Sequence, residues 1–183
     1  WAGHLEHHPD NVAPAVYGGL CCSLEEEDGS VHSQSWPVHP CWKVVVAIPD
    51  FHLETEHSRS LLPTLLSRKD AIYNLARLPW LLRGLGEGQA DWLALGCQDR
   101  WHQDYRAPLI AGMGNVFGAA REAGACAVHL SGAGPTLAAW VDSRAHDPQL
   151  VAQAMQQAWQ GQACCRVLGV TQQGCLGQAL VAG

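Results

Sequence analysis

The chain has 183 residues, 48% of them hydrophobic, and a formal net charge of -6 from 11 lysines and arginines against 17 aspartates and glutamates. That composition supports a folded globular product and excludes a disordered chain, while the sparse, scattered cations argue against nucleic acid or an anionic membrane surface as the main partner. No stretch approaches the roughly 18 uncharged apolar residues of a membrane-spanning helix, so a soluble cytoplasmic protein with a small-molecule ligand is expected.

In chain order, NVAPAVYGG reads as a short helix that Asp10 or Asn11 can cap, with Pro14 near its first turn and Gly18-Gly19 at its end. LCCSLEEEDGSVHSQSW predicts two strands joined around Asp28-Gly29, and the prolines from Pro37 to Pro40 mark a boundary. CWKVVVAIP is a β-branched run that fits a strand buried on both faces. Helices follow in TEHSRSLLP, from Lys69 to about Gly84 on the apolar residues Ala71, Ile72, Leu75, Leu78 and Leu82, and from about Gln89 to Trp101. Next come a helix from Met113 to Ala123, a strand ACAVHL, the turn SGAGP, a strand TLAAWVD, a helix from about Pro148 to Trp159 and a strand ACCRVLGV. Strands alternating with helices predict an α+β sandwich. Trp80, Trp92, Trp101, Trp140 and Trp159 read as core, and the eight cysteines, without CxxC spacing, as reduced thiols.

Three groups of residues carry chemistry. In Glu6-His7-His8-Pro9-Asp10-Asn11, carboxylates, an amide and a helix start crowd together, an arrangement suited to a magnesium ion, phosphate oxygens or a polar substrate head. Asp10 is the nearest candidate general base. Thr55 and Arg59 lie four apart, hence on one helix face, and Arg59 together with Arg106 can trap a small carboxylate, because guanidinium stays charged and bonds in a fork. His102 and Tyr105 frame Arg106 and are expected to orient it. Ser131-Gly132-Ala133-Gly134-Pro135-Thr136 has so little side-chain bulk that its backbone N–H groups can approach a ligand closely. Ten histidines raise the question of zinc, but HExxH and finger spacings are absent, as is a G-x-S-x-G elbow.

Taken in order, EHHPDNVAPAVYGG, VAIPDFHLETEHSRSLLP, CQDRWHQDYRAPLIAG and HLSGAGPT resemble homoserine kinases of the GHMP small-molecule kinase superfamily over nearly the whole chain. The SGAGPT turn is similar to GHMP kinases generally; the other segments carry the narrower likeness. Asp104 stands where relatives often have proline. The resemblance implies a GHMP kinase-like α+β fold: residues 1–40 as the incomplete tail of the N-terminal ATP-binding domain, 41–175 as a ferredoxin-like C-terminal domain, and 176–183 as a flexible tail. It implies ATP and Mg2+ as cofactors and L-homoserine as substrate, phosphorylated to O-phospho-L-homoserine on the path to threonine, with a homodimer as the suggested assembly.

By the same resemblance Glu6 helps hold magnesium and Asn11 lies near the substrate hydroxyl; with Asp10 as the candidate base, Asp10 and Asn11 are the residues expected to be catalytic. Thr55, Arg59, Arg106, Gly132 and Ala133 bind substrate, and Ser131, Gly132 and Gly134 support the nucleotide phosphates. The glycine-serine phosphate loop of GHMP kinases has no counterpart in these 183 residues, so the chain reads as a fragment not expected to turn over alone. The alternatives are another GHMP kinase acting on a sugar or mevalonate-like alcohol, and a non-catalytic amino-acid-binding module.

Overall fold

The computed structural model describes residues 9–159 and 163–175. The chain divides into two compact units, residues 1–39 with 170–183, and residues 40–169.

In the first unit, α1 (Pro9–Tyr17) has proline in its opening turn, where a missing N–H is harmless. Asp10 and Asn11, expected before the helix, therefore stand inside its first turn, and Pro14 falls in its interior. Strands β1 (Leu20–Glu25) and β2 (Val31–Trp36) pair antiparallel from Leu20↔Trp36 to Glu25↔Val31. The turn forms at Asp28-Gly29 as expected: Asp28 Oδ1 accepts the Ser30 N–H at 2.8 Å, and Gly29 holds φ +81°, which a side chain would disfavour. Gln172 clamps Val38 through both backbone groups, and Thr171 O accepts the Gly19 N–H, so the segment after Gly169 belongs to this unit.

The second unit runs β3 (Trp42–Pro49), α2 (Thr55–Ser60), α3 (Arg68–Glu87), α4 (Ala90–Gly96), α5 (Gln103–Arg106), a 3₁₀ turn (Ala107–Leu109), α6 (Met113–Glu122), β4 (Ala127–Leu130), β5 (Leu137–Asp142), α7 (Pro148–Ala158) and β6 (Ala163–Gly169). Its strands form one antiparallel sheet in the order β4-β5-β3-β6. Val45 and Ala47 of β3, Ala139 and Val141 of β5, Val116 and Ala120 of α6, and Val151 and Met155 of α7 share one buried cluster, the α+β core that the alternation of elements predicts. Only this face of β3 is fully covered: Val44 and Val46 are half-buried and Ile48 is exposed, so the strand is not buried on both faces.

Helices α3 and α4 pack side by side where Gly84 meets Leu93; a Cβ on Gly84 would stand 2.5 Å from Leu93 N. Trp42 Nε1 donates to Leu85 O at 3.0 Å, tying this pair to β3. Of the five apolar residues that predict α3, Ala71 and Leu82 are half-buried, but Ile72, Leu75 and Leu78 are exposed. The stripe of Tyr73, Asn74, Arg77 and Gly84 turns inward instead, because its polar members bond Gln98 and Asp99. For the same reason α4 stops at Gly96 and not near Trp101; residues 97–102 form the connection that those bonds hold. Trp159 is buried as expected, whereas Trp80 and Trp101 are exposed at 44% and 47% and are not core. Among the described residues no helix is long and apolar enough to cross a membrane, and no disulfide joins the cysteines.

Candidate active site

Strand β4 ends at Leu130 and the chain reverses through Ser131–Thr136. Ser131 N–H donates to Thr136 O at 2.9 Å and Gly134 N–H to Ser131 O at 3.0 Å. Gly132 and Gly134 hold φ +58° and +84°, and the Gly134-Pro135 bond is cis. A Cβ on Gly134 would press on Ile110 Cδ1 at 3.0 Å, whereas nothing lies within 4 Å of the equivalent point on Gly132. Among the described residues the N–H groups of Gly132 and Ala133 donate to no protein acceptor, leaving two adjacent amides for a ligand oxygen.

Two elements meet this loop. From α2, the fully buried Ser58 donates its hydroxyl to Ala133 O at 2.9 Å. From α5, Arg106, a residue 7% exposed, reaches Gly132 O at 3.5 Å and Ser58 O at 3.4 Å with its guanidinium, while its Nη1 lies 3.0 Å from His102 Nδ1. Since arginine only donates, His102 Nδ1 accepts and the imidazole is neutral with its proton on Nε2. Burial holds His102 below the ordinary histidine value, helped by the Arg106 and His129 charges and opposed by Asp99. Burial also lowers the Arg106 value, and the next cause is the positive charge of Arg59, against the pull of Asp99. The two arginines therefore occupy one electrostatic neighbourhood, with Arg59 next in sequence to Ser58 and exposed. Neither forms an ion pair with a carboxylate among the described residues. Two guanidinium groups, neither in ion-pair contact with a carboxylate among the described residues and one of them buried, are an arrangement that can accept an anion.

The turn that presents Arg106 is built on Asp99. Its Oδ1 accepts the Trp101 N–H and Asn74 Nδ2, and its Oδ2 accepts the N–H groups of His102 and Gln103, at 2.7–2.9 Å. Partial burial acts to raise the Asp99 value, but these four donors outweigh it and the carboxyl stays below its usual range. Asn74 Oδ1 takes the Arg100 N–H at 3.0 Å, and Gln103 Oε1 takes the Leu130 N–H at 2.9 Å, joining this turn to the end of β4.

Of the residues singled out from the sequence, Arg59, Arg106, Gly132 and Ala133 come together, and Ser131 and Gly134 shape the loop. Asn11 is exposed in the first unit. Glu6, and the side chains of Asp10 and Thr55, lie outside what the structure describes. His102 orients Arg106 as expected; Tyr105 is exposed and makes no hydrogen bond among the described residues. Ser58, Asn74, Asp99 and Gln103 are additions, and only Asp99, an acid just ahead of a short helix, carries a local capping signal. A cavity of about 410 Å³ lined by Cys97, Asp99, Gln103, Phe117, Arg121 and Cys126, among others, does not include either site arginine or the loop.

Comparison with known proteins adds relatives to this geometry. The family model described as GHMP kinases C terminal matches residues 71–162. A homoserine kinase from Microchaete diplosiphon is 48% identical over 157 residues, covering 85% of this chain and 50% of that protein. One from Moorella thermoacetica is 46% identical over 140 residues, covering 76% and 47%. Among solved structures, homoserine kinase from Cytophaga hutchinsonii superposes with a TM-score of 0.81 at 28% identity over 91% of this chain and 53% of that one. L. major mevalonate kinase, with a TM-score of 0.63 at 14% identity over 87% and 50%, shares the fold alone. The chain spans about half the length of the curated relatives it matches.

Proposed function

The chain belongs to the GHMP kinase family, whose C-terminal domain it carries, and from that premise we propose that the full-length protein phosphorylates the side-chain hydroxyl of L-homoserine with ATP. The observation that carries this reading is the buried Arg106 in the electrostatic neighbourhood of Arg59, with no carboxylate in ion-pair contact with either among the described residues. A substrate carboxylate supplies the missing charge, and its fork geometry matches the planar guanidinium. The free amides of Gly132 and Ala133 offer further contacts to the same small molecule.

In the reaction, the substrate oxygen forms a bond to the γ-phosphorus as the bond to the β,γ-bridging oxygen breaks, giving O-phospho-L-homoserine and ADP; the hydroxyl proton is released. Such transfers depend on alignment and charge neutralisation more than on a strong base. The arginines hold one end of the substrate so that the hydroxyl is presented in a fixed place, Asn11 bonds that hydroxyl, Asp10 receives its proton and Thr55 lines the substrate. Magnesium neutralises phosphate charge when bound, and Glu6 is the residue offered for it; Ser131, Gly132 and Gly134 would support the phosphates. The reading places the enzyme in the cytoplasm, in threonine biosynthesis, as a homodimer testable by sedimentation.

Substrate profiling of the full-length protein by ADP release tests this proposal. Homoserine is expected to be the preferred acceptor by a wide margin over alcohols that lack its amino or carboxylate group. Preference for a mevalonate-like or sugar alcohol would assign the site to another GHMP activity, and homoserine binding without ADP release would make it a binding module.

A further inference from the structure

The Asp99 carboxylate makes four hydrogen bonds and touches neither arginine as an ion pair. Three of its donors are the consecutive N–H groups of residues 101–103, which open the turn ending in Arg106. The fourth is Asn74, 25 residues earlier on α3, whose own Oδ1 holds the Arg100 N–H. The turn is thus pinned at its start to a long helix, and at Gln103 to the last residue of β4 before the Ser131–Thr136 loop. Helix α5 has only four residues, too few to keep its own direction in water. What aims Arg106 is therefore the Asp99 anchor and not the helix.

We infer that Asp99, held by Asn74, is a positioning residue that sets the place of the Arg106 guanidinium against Ser58, His102 and Gly132. The inference rests on the reading of Arg106 as the clamp for substrate carboxylate, but its physical content is separable from it. A carboxylate suits this post better than an amide: its two oxygens accept all four donors, whereas asparagine has a single acceptor oxygen and turns an NH2 toward N–H groups. Removing Asp99 should leave the fold's sheet intact while letting the 99–106 turn, and with it the guanidinium, wander by distances that matter for a fork contact.

The test uses Asp99→Asn and Asn74→Ala in the full-length protein, each alone and combined with Arg106→Ala. Asp99→Asn should raise KM for homoserine at least tenfold with KM for ATP within twofold, and Asn74→Ala should raise it about threefold, a milder version that keeps the test alive if Asp99→Asn folds poorly. In the Arg106→Ala background the same changes should have less than a twofold effect on KM, because the group they place is gone. Nitrogen NMR of the Arg106 guanidinium in the ligand-free protein should show a shifted or broadened Nε–H signal in both variants. Unchanged NMR signals, or KM effects equal in both backgrounds, would overturn the inference. Arg106→Ala with an unaltered KM for homoserine would instead sink the carboxylate reading, leaving the NMR result to judge the positioning role.

Discussion

Arg106 Nη1 and His102 Nδ1 lie 3.0 Å apart, so the imidazole beside this buried cation is an acceptor and must be neutral. Acidification should accordingly weaken the fold. His102 and His129 both sit below the ordinary histidine value, burial being the first cause for each. Around His102 stand Asp99, Arg106 and His129; His129 itself donates to Leu130 O and accepts from Trp140 Nε1. Folded, these histidines bind fewer protons than unfolded, so their contribution is complete above about pH 6.5 and is lost as pH falls through that value toward their lowered folded values. Asp99, also lowered, contributes above about pH 3.9 and loses that contribution only at more acid pH, as pH falls through its folded value. Thermal melts should show Tm falling from about pH 6.5 downward, with a shallower fall in His102→Gln/His129→Gln; an unchanged slope in that variant would contradict the assignment.

Ser58→Ala should cost about 0.5–1.5 kcal/mol, since it removes the hydroxyl that the half-buried Ala133 O accepts. Urea unfolding measures this. The Ser58 carbonyl that accepts Arg106 Nε stays in this variant, so KM for homoserine should rise only as far as the Ser131–Thr136 loop shifts.

Gly84→Ala tests the α3–α4 contact. The new methyl would stand 2.5 Å from Leu93 N and 2.8 Å from Leu93 Cα, backbone atoms that cannot swing aside. Overpacking of this kind costs about 1–3 kcal/mol, and a fall of several degrees in Tm is expected; an unchanged Tm would show that the helices separate freely.

Amide exchange should separate the two units. Strands β3 and β5 lie inside a four-stranded sheet with fully buried residues on both, whereas β1 and β2 form a two-stranded ribbon whose residues are half-buried or exposed. Slow exchange is expected at Val45 and Val141 and much faster exchange across residues 20–36. Equal protection would contradict the burial pattern.

What was legible in the sequence was local. Asp28-Gly29 announces its hairpin, the valines at 44–46 their strand, and Asp147-Pro148 the start of α7, where Asp147 Oδ1 does accept the Gln149 N–H at 2.9 Å. Periodicity found α3 but misjudged which stripe faces inward, because Tyr73, Asn74 and Arg77 are held by partners more than 20 residues away. The same distance hid Ser58, whose loop acceptor is 75 residues later. Arginines and glycines of the site stood out because their chemistry is carried by residue type; the side chains that place them carry it only through the fold.

The central claim is that Arg59 and Arg106 together bind the substrate carboxylate, and steady-state kinetics of the full-length Arg106→Ala and Arg59→Ala variants test it most directly. Loss of the buried guanidinium is expected to cost about 2–4 kcal/mol, or roughly 30- to 700-fold in KM for homoserine, with KM for ATP nearly unchanged. Loss of the exposed Arg59 should cost about tenfold. Homoserine KM values at the wild-type level in both variants, or equal losses for homoserine and ATP, would contradict the account.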